Sequence, residues 1–151
     1  MARRQRQMCI RDRGITALYN SSFKKSNFKK VSSIFSRLGS VIEVDNDSKI
    51  DTFTGVIGSG PAYFFQTLKS FEKKLMRLCN QDEKIVREII ANLMKGVGSS
   101  IEKDGDLDKL IKAVASKKGT TEAGLKSLKS NNLNQIFEKG LNAAILSLIH
   151  I

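Results

Sequence analysis

With 151 residues, 40% of them hydrophobic, the chain suffices for one ordinary domain or part of a larger enzyme, which excludes a wholly disordered protein. No apolar run approaches the roughly 20 residues of a membrane span, and no apolar core of a secretory signal follows the arginine-rich start, so a cytoplasmic protein without a membrane partner is expected. The net charge of +11 raises the question of nucleic acid, but the first thirteen residues carry +4 of it, and beyond them lysines are scattered among carboxylates as on a solvated surface, so no nucleic-acid partner is expected.

The chain starts with residues 1–13, "MARRQRQMCIRDR", and closes with residues 146–151, "LSLIHI". Both ends read as translated adapter sequence, a non-native leader and a non-native tail. The alternative is a basic N-terminal arm and an ordinary apolar helix end. His150, the lone histidine, lies in the tail, so triads and dyads that use a histidine base are excluded from the body. Cys9 and Cys79 are far apart and have no partner at metal-ligand spacing. Neither a disulfide framework nor a metal site is expected, and Cys79 reads as a small core residue.

"GITALYNS" is rich in β-formers and predicts a short strand from Gly14. "NFKKVSSIFSRLGS" then places Phe28, Val31, Ile34, Phe35 and Leu38 at helical spacing before a Gly39 stop, and "VIEVD" predicts a second strand. One such β-α-β unit cannot close a sheet core by itself. From Asp47 onward the pattern is helical. Pro61 suits the first turn of a helix, with a flexible entry at Gly58–Gly60, and Phe64, Leu68, Phe71, Leu75 and Leu78 form its apolar stripe. "NQDEK" offers an N-cap to a second long helix carrying Val86, Ile89, Ile90, Leu93, Met94, Val97 and Ile101. Gly96 and Gly98 in this helix predict close backbone packing, since each costs about 1 kcal/mol against Ala. A short helix capped by Asp106 follows, with Leu107, Leu110, Ile111 and Val114 inward. "TTEAGLKSLKS" and "NLNQIFEKGLNAAILSL" supply two more. Long striped helices need a covering partner, and self-association is the simplest one.

Two stretches could carry chemistry. "TGVIGSGPAYFF" fails the G-x-G-x-x-G frame, because Tyr63 stands where the third glycine should be, and no Gly-Lys-Ser/Thr follows Gly60. It reads as a tight turn feeding a helix. "ASKKGTTEAG", Ala115 to Gly124, leads into a helix whose free N–H groups can hold an anion, with Ser116, Thr120 and Thr121 as hydroxyl donors and Lys117 and Lys118 as charge. A plain capped helix start with solvated lysines is the other reading.

Taken together, "GITALY", "IFSRLGSVIEVD", "DTFTGVIGSGPAYFF", "IIANLMKGVGSSIEKDGD" and "LIKAVASKKGTTEAGL" resemble, in order and separation, the C-terminal half of the pyrroline-5-carboxylate reductases. The resemblance implies a mainly α fold. A helical dimerisation and substrate domain of the 6-phosphogluconate-dehydrogenase-like type, residues 47–145, would follow a β-α-β remnant of a Rossmann dinucleotide-binding domain, residues 14–46. It implies reduction of the imine of a small cyclic imino acid, 1-pyrroline-5-carboxylate, to proline. The cofactor would be NADP or NAD in the full-length enzyme, with none expected for this chain alone, which would be inactive. The implied partner is a second copy, in a homodimer or higher homo-oligomer held through the long helices. The family's serine-proline-glycine-glycine-x-threonine loop, which binds the substrate carboxylate, falls on Ser116 to Thr121. Ser116, Gly119 and Thr121 match, while Lys117 and Lys118 replace the proline and first glycine. The implied substrate-binding residues are Ser116, Gly119, Thr120 and Thr121, with Asp104 near the substrate amine, and Thr121 is the implied catalytic residue. A stand-alone helical oligomerisation module without catalytic activity is the alternative.

Overall fold

A computed structural model describes residues 14–22 and 24–149. The readings made for residues 1–13 and for His150 and Ile151 fall outside the described residues. The chain divides into two compact units, one formed by residues up to 61 together with those from 139 onward, the other by residues 62–138.

In the first unit, strand β1 (Gly14–Tyr19) pairs in parallel with β2 (Gly39–Val44), in the register Gly14 to Gly39 through Tyr19 to Val44. Helix α1 (Lys25–Phe35) and a 3-10 turn (Ser36–Leu38) connect them, the crossover that parallel strands require. Gly39 opens the second strand as well as stopping the helix. Its φ is +141°, and a β-carbon there would lie 1.9 Å from the Gly14 carbonyl oxygen, so no other residue fits.

Helix α2 (Asp47–Phe53) is capped by Asn46, whose side chain accepts from the Lys49 N–H at 3.0 Å. Lys49 also donates to the Asp45 carboxylate at 2.8 Å. This hydrogen bond is the main reason that the Asp45 carboxyl sits below the ordinary aspartate range; desolvation opposes it, and the Lys49 charge and a backbone hydrogen bond add to it.

The expected tight turn before Pro61 is instead helical. Residues Thr54–Gly58 form a π-helical turn that leads from α2 towards α3 (Gly60–Leu78), with the Ser59 N–H bonded to the Thr54 carbonyl at 3.3 Å. Pro61 has no N–H to give to the carbonyl four residues earlier, and its ring crowds that carbonyl. A widened turn accommodates both demands without ending the helical path. Within the same unit Gly55 is buried against Ile145 of helix α7 (Leu133–Ile149), which continues through residues 146–149.

The second unit is helical. α3 ends in two left-handed residues, Asn80 and Gln81, with the Gln81 N–H returning to the Met76 carbonyl at 2.9 Å. Asp82 then caps α4 (Glu83–Asp104), accepting from the N–H groups of Lys84 and Ile85. Gly105, left-handed at φ +69°, closes α4, and Asp106 caps α5 (Leu107–Val114). Helix α6 (Thr120–Ser130) follows.

The expected apolar stripes are present but largely uncovered. Val86 is the sole fully buried side chain among the described residues, whereas Phe64, Phe71, Leu93, Val97 and Ile111 are exposed, Val114 is 70% exposed and Leu78 74%. Leu107 and Val114 therefore do not point into a core of this chain, and Cys79 is half-buried. Among the described residues the close packing expected at Gly96 and Gly98 is likewise not made, since a β-carbon at either would meet nothing within 4 Å. None of the described residues covers α4 at these two glycines. Among the described residues no helix is long and apolar enough to cross a membrane.

Candidate functional site

The segment between α5 and α6 carries most of the expected site residues and gathers them in a single turn. Ala115 leaves α5 in an extended conformation, its N–H still bonded to the Ile111 carbonyl at 3.0 Å. The chain reverses over Ser116, Lys117, Lys118 and Gly119, closed by a 2.9 Å hydrogen bond from the Gly119 N–H to the Ser116 carbonyl. Lys118, third in the turn, has φ +59°, and Lys117 before it is not left-handed. That combination is the signature of a type II turn, in which a residue tolerant of positive φ is favoured third and proline second. Lysine stands at both positions, so the turn keeps its shape without either favoured residue.

Gly119 is the N-cap of α6. A β-carbon there would lie 2.2 Å from Ser116 Oγ and 3.0 Å from the Ser116 carbonyl oxygen, so any larger residue would push the Ser116 hydroxyl aside and crowd its carbonyl. Thr120 and Thr121 are the first two residues of the helix, Thr120 exposed and Thr121 half-buried. Their N–H groups and that of Glu122 point out of the first helical turn, where no preceding carbonyl of the helix can take them. Ser116, Gly119, Thr120 and Thr121 thus form one polar corner with hydroxyls, free amides and the positive end of a helix dipole.

Glu122 completes this corner. Its carboxylate reaches back over the helix start and accepts from the Lys118 N–H. Glu122 was not among the expected site residues, although the Gly119-x-x-Glu122 spacing is that of a capping box, in which the third helical residue returns to a backbone N–H at the cap.

Asp104 is not part of this corner. It ends α4, and its carboxylate accepts from Lys109 Nζ at 2.7 Å. Asp104 and Ser116 flank opposite ends of α5, whose eight residues rise about 12 Å.

A second concavity, about 400 Å³, lies between α3 and α4. Phe65, Leu68, Ile90 and Met94 line it, with Lys69 and Arg87 among its charged residues. It is an open apolar groove along two helices. Among the described residues no cluster of histidine, cysteine, aspartate or glutamate is gathered to hold a metal ion.

Residues 47–148 match the family model described as pyrroline-5-carboxylate reductase dimerisation. The chain belongs to the pyrroline-5-carboxylate reductase dimerisation family. Among its relatives, the pyrroline-5-carboxylate reductase of Staphylococcus haemolyticus is 34% identical over 128 residues, which are 84% of this chain and 46% of the relative. The chain therefore spans about half the length of the reductases it matches. A solved pyrroline-5-carboxylate reductase from Coxiella burnetii shares its fold with a TM-score of 0.79 at 27% identity, covering 88% of this chain and 50% of that one. A Plasmodium falciparum pyrroline carboxylate reductase with NADP bound superposes with a TM-score of 0.74 at 22% identity, covering 87% of this chain and 51% of that one. The mainly α architecture with a short parallel β-α-β unit is thus one found within pyrroline-5-carboxylate reductases, over about half of their length.

Proposed function

We propose that this chain is the C-terminal half of a pyrroline-5-carboxylate reductase, an oxidoreductase of proline biosynthesis that reduces 1-pyrroline-5-carboxylate to proline with NADPH or NADH. Residues 14–46 would be the end of its dinucleotide-binding domain, and residues 47–145 its dimerisation and substrate domain. The observation that carries the reading is the Ser116–Thr121 turn, in which the residues matching the family's carboxylate loop stand together at the start of α6 in a chain that belongs to the family.

In this reading the substrate carboxylate lies against the free amides of Thr120 and Thr121 and their hydroxyls, with Ser116 as a further donor and Gly119 allowing the close approach. Thr121 is the residue we assign to catalysis, because its amide and hydroxyl fix the carboxylate and so fix the ring. Such orientation contributes several kcal/mol to barrier lowering, on the order of what positioned groups supply elsewhere. We place Asp104 near the substrate amine on the family resemblance alone. There it would exchange its Lys109 partner for the substrate's charged nitrogen.

The cofactor belongs to the full-length protein. Among the described residues the single parallel strand pair carries no glycine-rich turn from strand to helix, so the residues present do not form a phosphate cradle. We expect this chain alone to bind NAD(P)H weakly and not to turn over.

The exposed stripes of α3, α4 and α5 and the groove between α3 and α4 support a homodimer, since a second copy of the same helices would cover them. The test is to fuse residues 14–145 to the nucleotide domain of a related reductase and measure NAD(P)H-dependent proline formation. Activity that falls at least about a hundredfold in Thr121→Ala is expected, from loss of one oriented hydroxyl donor. A well-folded, dimeric fusion with no activity would favour a stand-alone oligomerisation module instead.

A further inference from the structure

The turn at Ser116–Gly119 presents a physical problem that its own residues do not solve. Lys118 is left-handed at φ +59°, a conformation that side chains with a β-carbon disfavour, and no glycine stands there to absorb it. The one contact holding the Lys118 backbone from outside the turn, among the hydrogen bonds of the described residues, is the Glu122 carboxylate on its N–H.

The same contact determines which amides remain for a ligand. The Lys118 N–H is taken by Glu122, the Gly119 N–H by the Ser116 carbonyl at 2.9 Å, and the Ala123 N–H by the Gly119 carbonyl at 3.2 Å. The first-turn amides of Thr120, Thr121 and Glu122 lie between these occupied positions. With its carboxylate bonded to Lys118, Glu122 does not itself occupy the amides of Thr120 and Thr121.

We infer that Glu122 is a positioning residue of this turn: it holds Lys118 in the left-handed form without a glycine, and by occupying the Lys118 amide it directs an incoming carboxylate to the amides of Thr120 and Thr121. The inference rests on the proposed reading of the turn as the substrate-carboxylate loop. It assigns Glu122 no contact with the substrate and no proton transfer.

The experiment uses the full chain, nitrogen-labelled for amide NMR, with L-proline as the probe. In Glu122→Ala the Lys118 amide should exchange with solvent about tenfold faster, as expected on losing a hydrogen bond to a charged acceptor, while the Leu125 amide deeper in α6 stays protected. Glu122→Gln, whose side-chain oxygen still accepts, should retain the protection. L-Proline binding, followed at the Thr120 and Thr121 amides, should weaken about fivefold in Glu122→Ala and return to within about twofold of the parent in Glu122→Gln and in the double variant Glu122→Ala/Lys118→Gly, where glycine adopts the turn unaided but the amide at position 118, left unoccupied, should now respond to L-proline as well. Unchanged Lys118 exchange in Glu122→Ala would overturn the inference, as would equal loss of protection at Leu125 or a double variant that fails to recover. If the parent's Thr120 and Thr121 amides ignore L-proline, the carboxylate reading falls and the steering role with it. The Lys118 exchange, which needs no ligand, then still decides whether Glu122 holds the turn.

Discussion

A β-carbon placed on Gly55 would lie 2.7 Å from Ile145 Cγ1 and 3.0 Å from the Ile145 backbone nitrogen. The π-helical turn and α7 therefore meet backbone to backbone, at a distance only glycine permits. A rotamer change of Ile145 cannot relieve the contact, because its main chain is also too close. Gly55→Ala should cost about 1–3 kcal/mol of stability, the usual range for overpacking. Gly60→Ala is the control: a β-carbon there meets nothing within 4 Å, and the change should be neutral or stabilising by up to about 1 kcal/mol. Urea unfolding of the two variants beside the parent distinguishes them, and equal midpoints would refute the close approach.

The turn before α6 makes opposite predictions at adjacent positions. Lys118→Gly removes left-handed strain and should stabilise by about 0.5–1 kcal/mol after the entropy of glycine is deducted. Gly119→Ala brings a β-carbon against Ser116 and should destabilise by about 1–3 kcal/mol. Thermal unfolding followed by circular dichroism reads both signs, and a destabilising Lys118→Gly would count against the left-handed turn.

Self-association through the helices has its own test. Leu93 is 44% exposed on the apolar face of α4. Leu93→Asp places a charge where a second copy would pack, and should weaken association by about 2 kcal/mol or more, the scale of losing one buried leucine at an interface. Sedimentation velocity over a concentration series should show dimers or larger species for the parent and a shift toward monomer for the variant. A parent that stays monomeric throughout would refute the proposed assembly.

The Asp45–Lys49 pair predicts a pH effect with a definite sign. Because its carboxyl is depressed in the folded chain, Asp45 contributes stability that is fully present above the unfolded aspartate value and is lost as pH falls through the lower folded value. In Lys49→Gln the Asp45 midpoint, followed by carboxyl NMR, should move up toward the ordinary range. Both side chains are exposed, so added salt should shrink the difference between parent and variant.

The sequence carried local information well and tertiary information unevenly. Asp106 as a cap and Thr120 as a helix start follow from side chains acting on backbone within a few residues, and the structure has both. The stripes of α3 and α4 were legible as periodicity, but periodicity is silent on whether the covering surface lies in the same chain. At Gly96 and Gly98, likewise, the spacing is silent on which surface comes close, and among the described residues none does. The turn at Thr54–Gly58 was expected to be tight because three glycines and a proline ordinarily punctuate. Its π geometry accommodates Pro61 without ending the helical path, and Gly55 within it meets Ile145, ninety residues away. Of the candidate site, Ser116 through Thr121 was legible from spacing and resemblance together. Glu122 was missed because its role is a single hydrogen bond to a backbone position that the family ordinarily fills with glycine.

Val86, the one side chain sealed from solvent among the described residues, has a consequence for how such a chain reaches its structure. In the proposed assembly little apolar surface is withdrawn from water before a second copy arrives, so a lone chain would gain little by ordering itself. Collapse and encounter would then be a single bimolecular event. The refolding rate should rise in proportion to chain concentration, and dilution alone should act as a denaturant.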